Sequence, residues 1–167
     1  MAADLTLRHA TVPTPFGPFT FVVSPDGVVA TTGGDPRELA DELARRLGVL
    51  SRAAALRAAT RDLEAYFGGR RARMHTPADL RLVRTPFARA VLEITQTIPF
   101  GELWTYGDVA AKAGRPGAAR AAGSALARSP VELFVPCHRV VPSGPGLGSY
   151  GGSEDRRATL LRFEGAI

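Results

Sequence analysis

The chain has 167 residues, 45% of them hydrophobic and 22% charged, with a formal net charge of +5. That length supports a real core in one domain or two small ones, and the balance of apolar and charged residues excludes wholesale disorder and a fibrous architecture. The excess of base suits a polyanionic partner, nucleic acid being the commonest, although a basic chain is also simply soluble; Lys112 is the only lysine, so nearly all the positive charge is arginine.

One cysteine, Cys137, and three histidines make neither an intramolecular disulfide nor a zinc cluster of CxxC type. The opening MAADLTLRHA lacks a basic segment followed by an apolar one, and no stretch approaches the roughly 20 apolar residues that span a bilayer. A cytoplasmic protein with no membrane partner is expected.

Residues 14–34, TPFGPFTFVVSPDGVVATTGG, set aromatic and β-branched residues on either side of Pro-Asp-Gly, which predicts two strands joined by a turn. PRELADELARRLGVL then places Leu39, Leu43 and Leu47 on one helical face, with acids early and arginines late as the helix dipole favours. A second helix is predicted in RAAALRAATRDLEAYFGG, with Leu56, Leu63, Tyr66 and Phe67 as its apolar side and Gly68-Gly69 as its stop. RRARMHTPADLRLVR reads as a returning strand or a polar linker. A boundary near Thr85 separates an N-terminal α/β domain, residues 1–84, from a C-terminal domain, residues 85–167.

Beyond it, TPFARAVLEITQTI predicts a helix that starts at Pro86 and ends before Pro99. WTYGDVAAKAG and AARAAGSALARSP are two short helical patterns separated by GRPG, the grammar of a helix-turn-helix. Gly123 and Ser124 lie among the alanines of the second helix, and such small residues let a backbone approach another helix or a nucleic-acid groove. An apolar run, VELFVPCHRVV, then leads to the cysteine, and a glycine-rich loop, PSGPGLGSYGGS, precedes a closing helix in EDRRATLLRFEGAI. The fold class is α/β in the α+β sense, a small sheet-and-helix domain followed by a mainly helical one.

A buried free cysteine is most often a small hydrophobe. Three features set Cys137 apart: the adjacent base His138, which is placed to favour a thiolate; Pro136, which stiffens the approach; and the glycine-rich loop that brings in Tyr150. Neighbouring side chains of an extended segment point opposite ways, so Cys137 and His138 would communicate through a water or a tight turn. No orienting Asn or Asp and no oxyanion hole of a cysteine hydrolase is evident. His9 and His75 read as surface residues, and no histidine pair has metal-ligand spacing.

The motifs PCHRV, IPFGELWTYGDVAAKAGRPGAARAAGSAL before it, and SYGG with LLRFEG after it occur in an order that resembles the O6-alkylguanine-DNA alkyltransferases. The likeness is close over residues 85–165, and TPFGPFTFVV is similar to the family's more variable N-terminal domain. The resemblance implies irreversible transfer of an alkyl group from O6 of guanine in DNA to Cys137, with O4-alkylthymine as a further candidate lesion and no cofactor. It implies that His138 removes the thiol proton through a bound water, that Glu164 orients His138, and that Tyr106 donates a proton toward guanine N3. Tyr150, Gly152, Ser153, Val140 and Ser129 match positions around the base pocket.

The same resemblance gives the helix-turn-helix a target. The implied partner is double-stranded DNA entered through the minor groove by a monomer, with cooperative assembly on the duplex left open. Arg120 matches the arginine that replaces the flipped nucleotide in the stack, Ala119, Ala121 and Gly123 permit close approach, and Arg115 and Arg128 are phosphate contacts. Two positions depart from the family pattern. Ser129-Pro130 stands where Asn-Pro is usual, and Glu132 stands where an apolar or small residue is usual, which bears on rate and lesion range more than on reaction type. Two alternatives follow: a non-catalytic module that holds alkylated bases for another pathway, against which Cys137 argues, and a cysteine alkyltransferase for a non-DNA substrate, which a Glu132 facing the pocket would favour.

Overall fold

Three strands open the described chain, β1 (Leu7–Thr14), β2 (Gly17–Ser24) and β3 (Gly27–Thr32). The computed structural model describes residues 5–70, 73–148, 150 and 154–167. β2 and β3 are the two predicted strands, paired antiparallel with a register shift at Val22/Val23. β1 carries no strand prediction, because only Leu7 and Val12 of its eight residues are buried and its alternation is imperfect. Its order comes from its neighbour, since Arg8 to Thr14 all pair antiparallel with β2. β4 (Ser51–Ala53) adds parallel to β1, giving the sheet order β3-β2-β1-β4.

α1 (Pro36–Leu47) follows the predicted leucine stripe. Asp35 caps it by accepting from the Arg37 N–H at 2.8 Å, Pro36 fits its first turn, and Gly48 ends it at φ 69°. Leu43 packs with Leu7, Val22, Val29, Ala30 and Leu82 in one apolar cluster, with Leu39 and Leu47 against its edge. α2 (Arg57–Phe67) buries Ala59, Leu63 and Tyr66, whereas Leu56 caps the helix instead of belonging to its stripe.

The stretch after α2 resolves mainly as a linker. Buried Asp62 accepts from the backbone N–H groups of His75 at 3.0 Å and Thr76 at 2.7 Å. Burial would raise this carboxyl, but those hydrogen bonds outweigh it and hold the group below its usual range. A single parallel bridge joins Val28 to Ala78, with Val28 N–H donating to Pro77 O at 2.8 Å. Gly27 makes that approach feasible: its φ is 142°, and a Cβ there would lie 2.2 Å from the Pro77 carbonyl oxygen.

The contacts divide the chain into two units, the first running to Leu82 and adding Pro130–Phe134, the second comprising Val83–Ser129 and Val135–Ile167. Residues 130–134, expected in the C-terminal domain of residues 85–167, thus group by contacts with the first unit. The contacts run along β3, the edge strand of the sheet: Thr31 N–H donates to Pro130 O at 2.9 Å, and Thr31 Oγ1 accepts from Glu132 N–H at 2.7 Å.

The second unit contains α3 (Pro86–Thr95), β5 (Trp104–Thr105), α4 (Tyr106–Lys112), α5 (Ala119–Ala127), β6 (Val140–Val141) and α6 (Glu154–Glu164). Thr85 caps α3, accepting from Ala88 N–H at 3.2 Å. A reciprocal capping box fixes the start of α4: Thr105 Oγ1 accepts from Asp108 N–H at 3.1 Å, and the Asp108 carboxylate accepts from Thr105 N–H at 2.9 Å. Gly114 and Gly117, at φ 89° and 83°, turn the chain into α5. α3, α4 and α5 pack together through Val91, Leu92, Val109, Ala110, Ala122 and Leu126, all buried. Among the described residues no helix is long and apolar enough to cross a membrane.

Gly27→Ala is expected to destabilise the protein by about 2–3 kcal/mol through backbone strain and collision with Pro77. Gly17→Ala, at φ 101° with nothing within 4 Å of the added carbon, carries the strain alone and should cost less. Denaturant titrations of the two variants check the order; equal losses would contradict it.

Candidate active site

Pro136 enters at φ −79° and turns the chain into a 3₁₀ helix, Cys137–Arg139, closed by Arg139 N–H donating to Pro136 O at 3.0 Å. The extended geometry considered for this stretch is thus replaced by the tight turn. β6 continues directly from it and pairs parallel with β5, Trp104 opposite Val140 and Thr105 opposite Val141. This pairing brings Tyr106, the first residue of α4, alongside the segment that carries the thiol. Cys137 is buried at 4% exposure, and His138 at 0%.

His138 is held by Glu164, the last residue of α6. Glu164 Oε1 lies 2.6 Å from His138 Nε2 and accepts from Arg139 Nη2 at 3.0 Å. Oε2 accepts from Arg139 Nε at 2.9 Å and from Gly101 N–H at 3.3 Å. Arg139 is fixed in turn by donation to Ile98 O at 2.7 Å and lies over the Phe100 ring. Burial alone would raise the Glu164 pKa, but the hydrogen bonds and charges of His138 and Arg139 outweigh it and bring the carboxyl down to about 2. An ionised carboxylate only accepts, so the proton of neutral His138 sits on Nε2 and the lone pair on Nδ1. That Nδ1 is buried without a hydrogen-bond partner among the described residues. Burial is the largest influence on His138 and lowers its pKa; Glu164 opposes this, while Arg139 and Arg157 reinforce it.

A second cluster adjoins the first. The Tyr150 ring is buried and meets the His138 ring edge-on with centroids 6.0 Å apart. The half-buried Tyr106 accepts at its hydroxyl from Arg157 Nη2 at 3.2 Å, and Arg157 Nη1 donates to Leu147 O. Arg139 and Arg157 are the two charged groups that sequence reasoning missed. The signal that could have found Arg157 is its place in α6, seven residues before Glu164 and four before Leu161, on the stripe that the helix buries.

The remaining candidates divide. Arg120, Ala121, Arg115 and Arg128 are exposed, Ala119 is half-buried, and the Arg115 guanidinium lies 4.8 Å from the centroid of the Phe87 ring. Gly123, grouped with them as a groove-facing residue, instead backs the Tyr106 ring, with a hypothetical Cβ 3.6 Å from Cδ1 and Cε1. Val140 is wholly buried, so it anchors the core. Ser129 is half-buried and ends the turn after α5, its N–H donating to Leu126 O at 3.1 Å. Glu132 groups with the first unit. Gly152 and Ser153 lie outside the described residues. His75 is exposed, as expected, whereas His9 is half-buried with Nδ1 2.9 Å from Ser51 Oγ.

Because the folded-state pKa of Glu164 is depressed from 4.5 to about 2, its contribution to stability is complete above pH 4.5 and is lost as pH falls toward 2, about 3 kcal/mol in all. Glu164→Gln cannot titrate. Denaturant titrations between about pH 7 and pH 3 should show it less stable than the native protein at neutral pH, with a shallower loss on acidification; parallel curves would contradict the assignment.

The profile of the family described as 6-O-methylguanine DNA methyltransferase, DNA binding domain, matches residues 86–166. A methylated-DNA–protein-cysteine methyltransferase of Mycolicibacterium paratuberculosis is 39% identical over 149 residues, covering 86% of this chain and 89% of the relative. The protein of that name from Mycobacterium leprae is 41% identical over 119 residues, 71% of each chain. The crystal structure of Mycobacterium tuberculosis OGT in complex with DNA superposes with a TM-score of 0.79 at 32% identity, covering 95% of this chain and 93% of that one. With a buried thiol, a carboxylate-held histidine and these likenesses together, the chain belongs to the methylated-DNA–protein-cysteine methyltransferases.

Proposed function

We propose that the protein reverses alkylation damage in DNA by moving the alkyl group from O6 of guanine to Cys137 Sγ, once per chain. The observation that carries this reading is the buried series Cys137, His138, Glu164, in which the carboxylate commits His138 Nε2 to donation and leaves Nδ1 as the basic atom. His138 Nδ1 takes the thiol proton through a bridging water. Sγ attacks the alkyl carbon, the C–O6 bond breaks, and its electron pair passes into the purine while the Tyr106 hydroxyl protonates N3. A thioether is a poor leaving group, so nothing regenerates the thiol and the protein is consumed.

DNA is the partner. A lesion inside a duplex is out of reach of a buried thiol, so the nucleotide must leave the stack. Arg120, exposed on α5, fills the vacated position; Ala119 and Ala121 let the helix approach the minor groove, and Arg115 and Arg128 meet phosphates. Tyr150 walls the base pocket beside His138.

Incubation with duplex DNA containing O6-methylguanine should add one methyl group to the intact protein by mass spectrometry, and Cys137→Ala should add none. Tight lesion binding without transfer would instead support a binding module, and transfer only from a non-DNA donor a small-molecule alkyltransferase. Arg120→Ala should slow transfer from duplex DNA by about 10-fold or more while leaving reaction with free O6-benzylguanine unchanged; equal slowing of both would remove Arg120 from base flipping.

The pH profile tests the base. Three charged groups face His138, namely Glu164, Arg139 and Arg157, and the net effect of burial and charge holds its pKa below 6.5. His138 is therefore neutral and competent as pH falls through 6.5, and single-turnover rates should decline only in more acid solution. A decline centred at or above pH 6.5 would contradict this role.

A further inference from the structure

Arg157 is buried at 3% exposure, and among the described residues no carboxylate pairs with it and its Nε has no hydrogen-bond partner. A buried cation ordinarily has a counter-charge, because desolvation otherwise costs several kcal/mol. The surroundings are nevertheless shaped to hold this one. Its guanidinium donates to Leu147 O and to the Tyr106 hydroxyl, and its Cζ lies 5.7 Å from the centroid of the Tyr150 ring. Gly148 makes room, for its φ is 71° and a Cβ there would lie 3.1 Å from Nη1.

We infer that Arg157 is the positioning residue for the departure of guanine, fixing the Tyr106 hydroxyl as a donor toward the base. The inference rests on the alkyl-transfer reading above. A guanidinium has donors and no acceptor. When Arg157 donates to the phenol oxygen, the phenol's own proton must point elsewhere, and the base is the acceptor that the reaction brings.

In the transfer, the Sγ–C bond forms as C–O6 breaks, the electron pair of that bond enters the ring, and N3 takes the Tyr106 proton. The proton that His138 received from the thiol returns to the phenolate through solvent. Arg157 exchanges no proton; its charge opposes the negative charge that develops on the phenolate.

The test compares Arg157→Gln, Arg157→Lys, Tyr106→Phe and the Arg157→Gln/Tyr106→Phe double variant under single-turnover conditions. Three alkyl donors are used: duplex DNA with O6-methylguanine, the same duplex with O6-methyl-3-deazaguanine, which lacks the N3 acceptor, and iodoacetamide. Arg157→Gln should slow transfer from O6-methylguanine by about 10- to 100-fold, Arg157→Lys should recover most of the rate, and Arg157→Gln should slow the Tyr106→Phe protein no further. With the 3-deaza lesion and with iodoacetamide, Arg157→Gln should match the native protein. A native rate for Arg157→Gln on O6-methylguanine, or equal slowing with all three donors, would overturn the inference while leaving alkyl transfer intact. No transfer by the native protein would instead overturn the repair reading, and this inference with it.

Discussion

The second unit is organised around one carboxylate. Glu164 receives donors from His138, Arg139 and the Gly101 backbone, and so joins α6, the 3₁₀ turn after Pro136 and the segment that precedes β5. A charge so deeply buried is stable only when each oxygen is satisfied, and here both are. The chemistry follows from the same constraint. With Glu164 ionised, the tautomer of His138 is decided, and its basic nitrogen, in the residue after the thiol, has no hydrogen-bond partner among the described residues. Removing the carboxylate would strand the Arg139 cation and free the imidazole at once.

From that anchor the reactive face is assembled through backbone pairing. The two-residue strands β5 and β6 are too short to be stable alone, yet their register sets the first residue of α4 beside the 3₁₀ turn, and the capping box at Thr105 and Asp108 fixes the direction in which that helix departs. Tyr106 is thereby placed between Gly123, whose missing side chain admits the ring, and Arg157, which engages the hydroxyl. The α4–α5 pair is thus two-faced: its outer side leaves Arg120 and Ala121 exposed, while its inner side supports the site.

Much of this was legible in the sequence. The leucine stripe of α1, the Pro-started α3, the glycine-bounded turn between α4 and α5, and the PCHRV and LLRFEG motifs each carry a local pattern that survives folding. What the sequence hid depends on partners distant in the chain. β1 is a strand because β2 pairs with it, and residues 130–134 join the first unit through hydrogen bonds to Thr31 on the edge strand β3. Gly123 reads as a groove residue until the Tyr106 ring is seen against it. Arg157 carries no local signal, because a charged residue on a buried stripe is an exception to helix patterning, and such exceptions concentrate at functional sites.

The central claim is that this buried thiol is a stoichiometric acceptor, used once. The most direct measurement mixes a fixed amount of protein with a large excess of duplex DNA carrying O6-methylguanine and follows lesion loss to completion beside the methyl content of Cys137. The account predicts a plateau at one lesion repaired per chain, with every methyl lost from DNA found on Cys137. Continued lesion loss beyond that plateau, or loss with Cys137 unmodified, would contradict it.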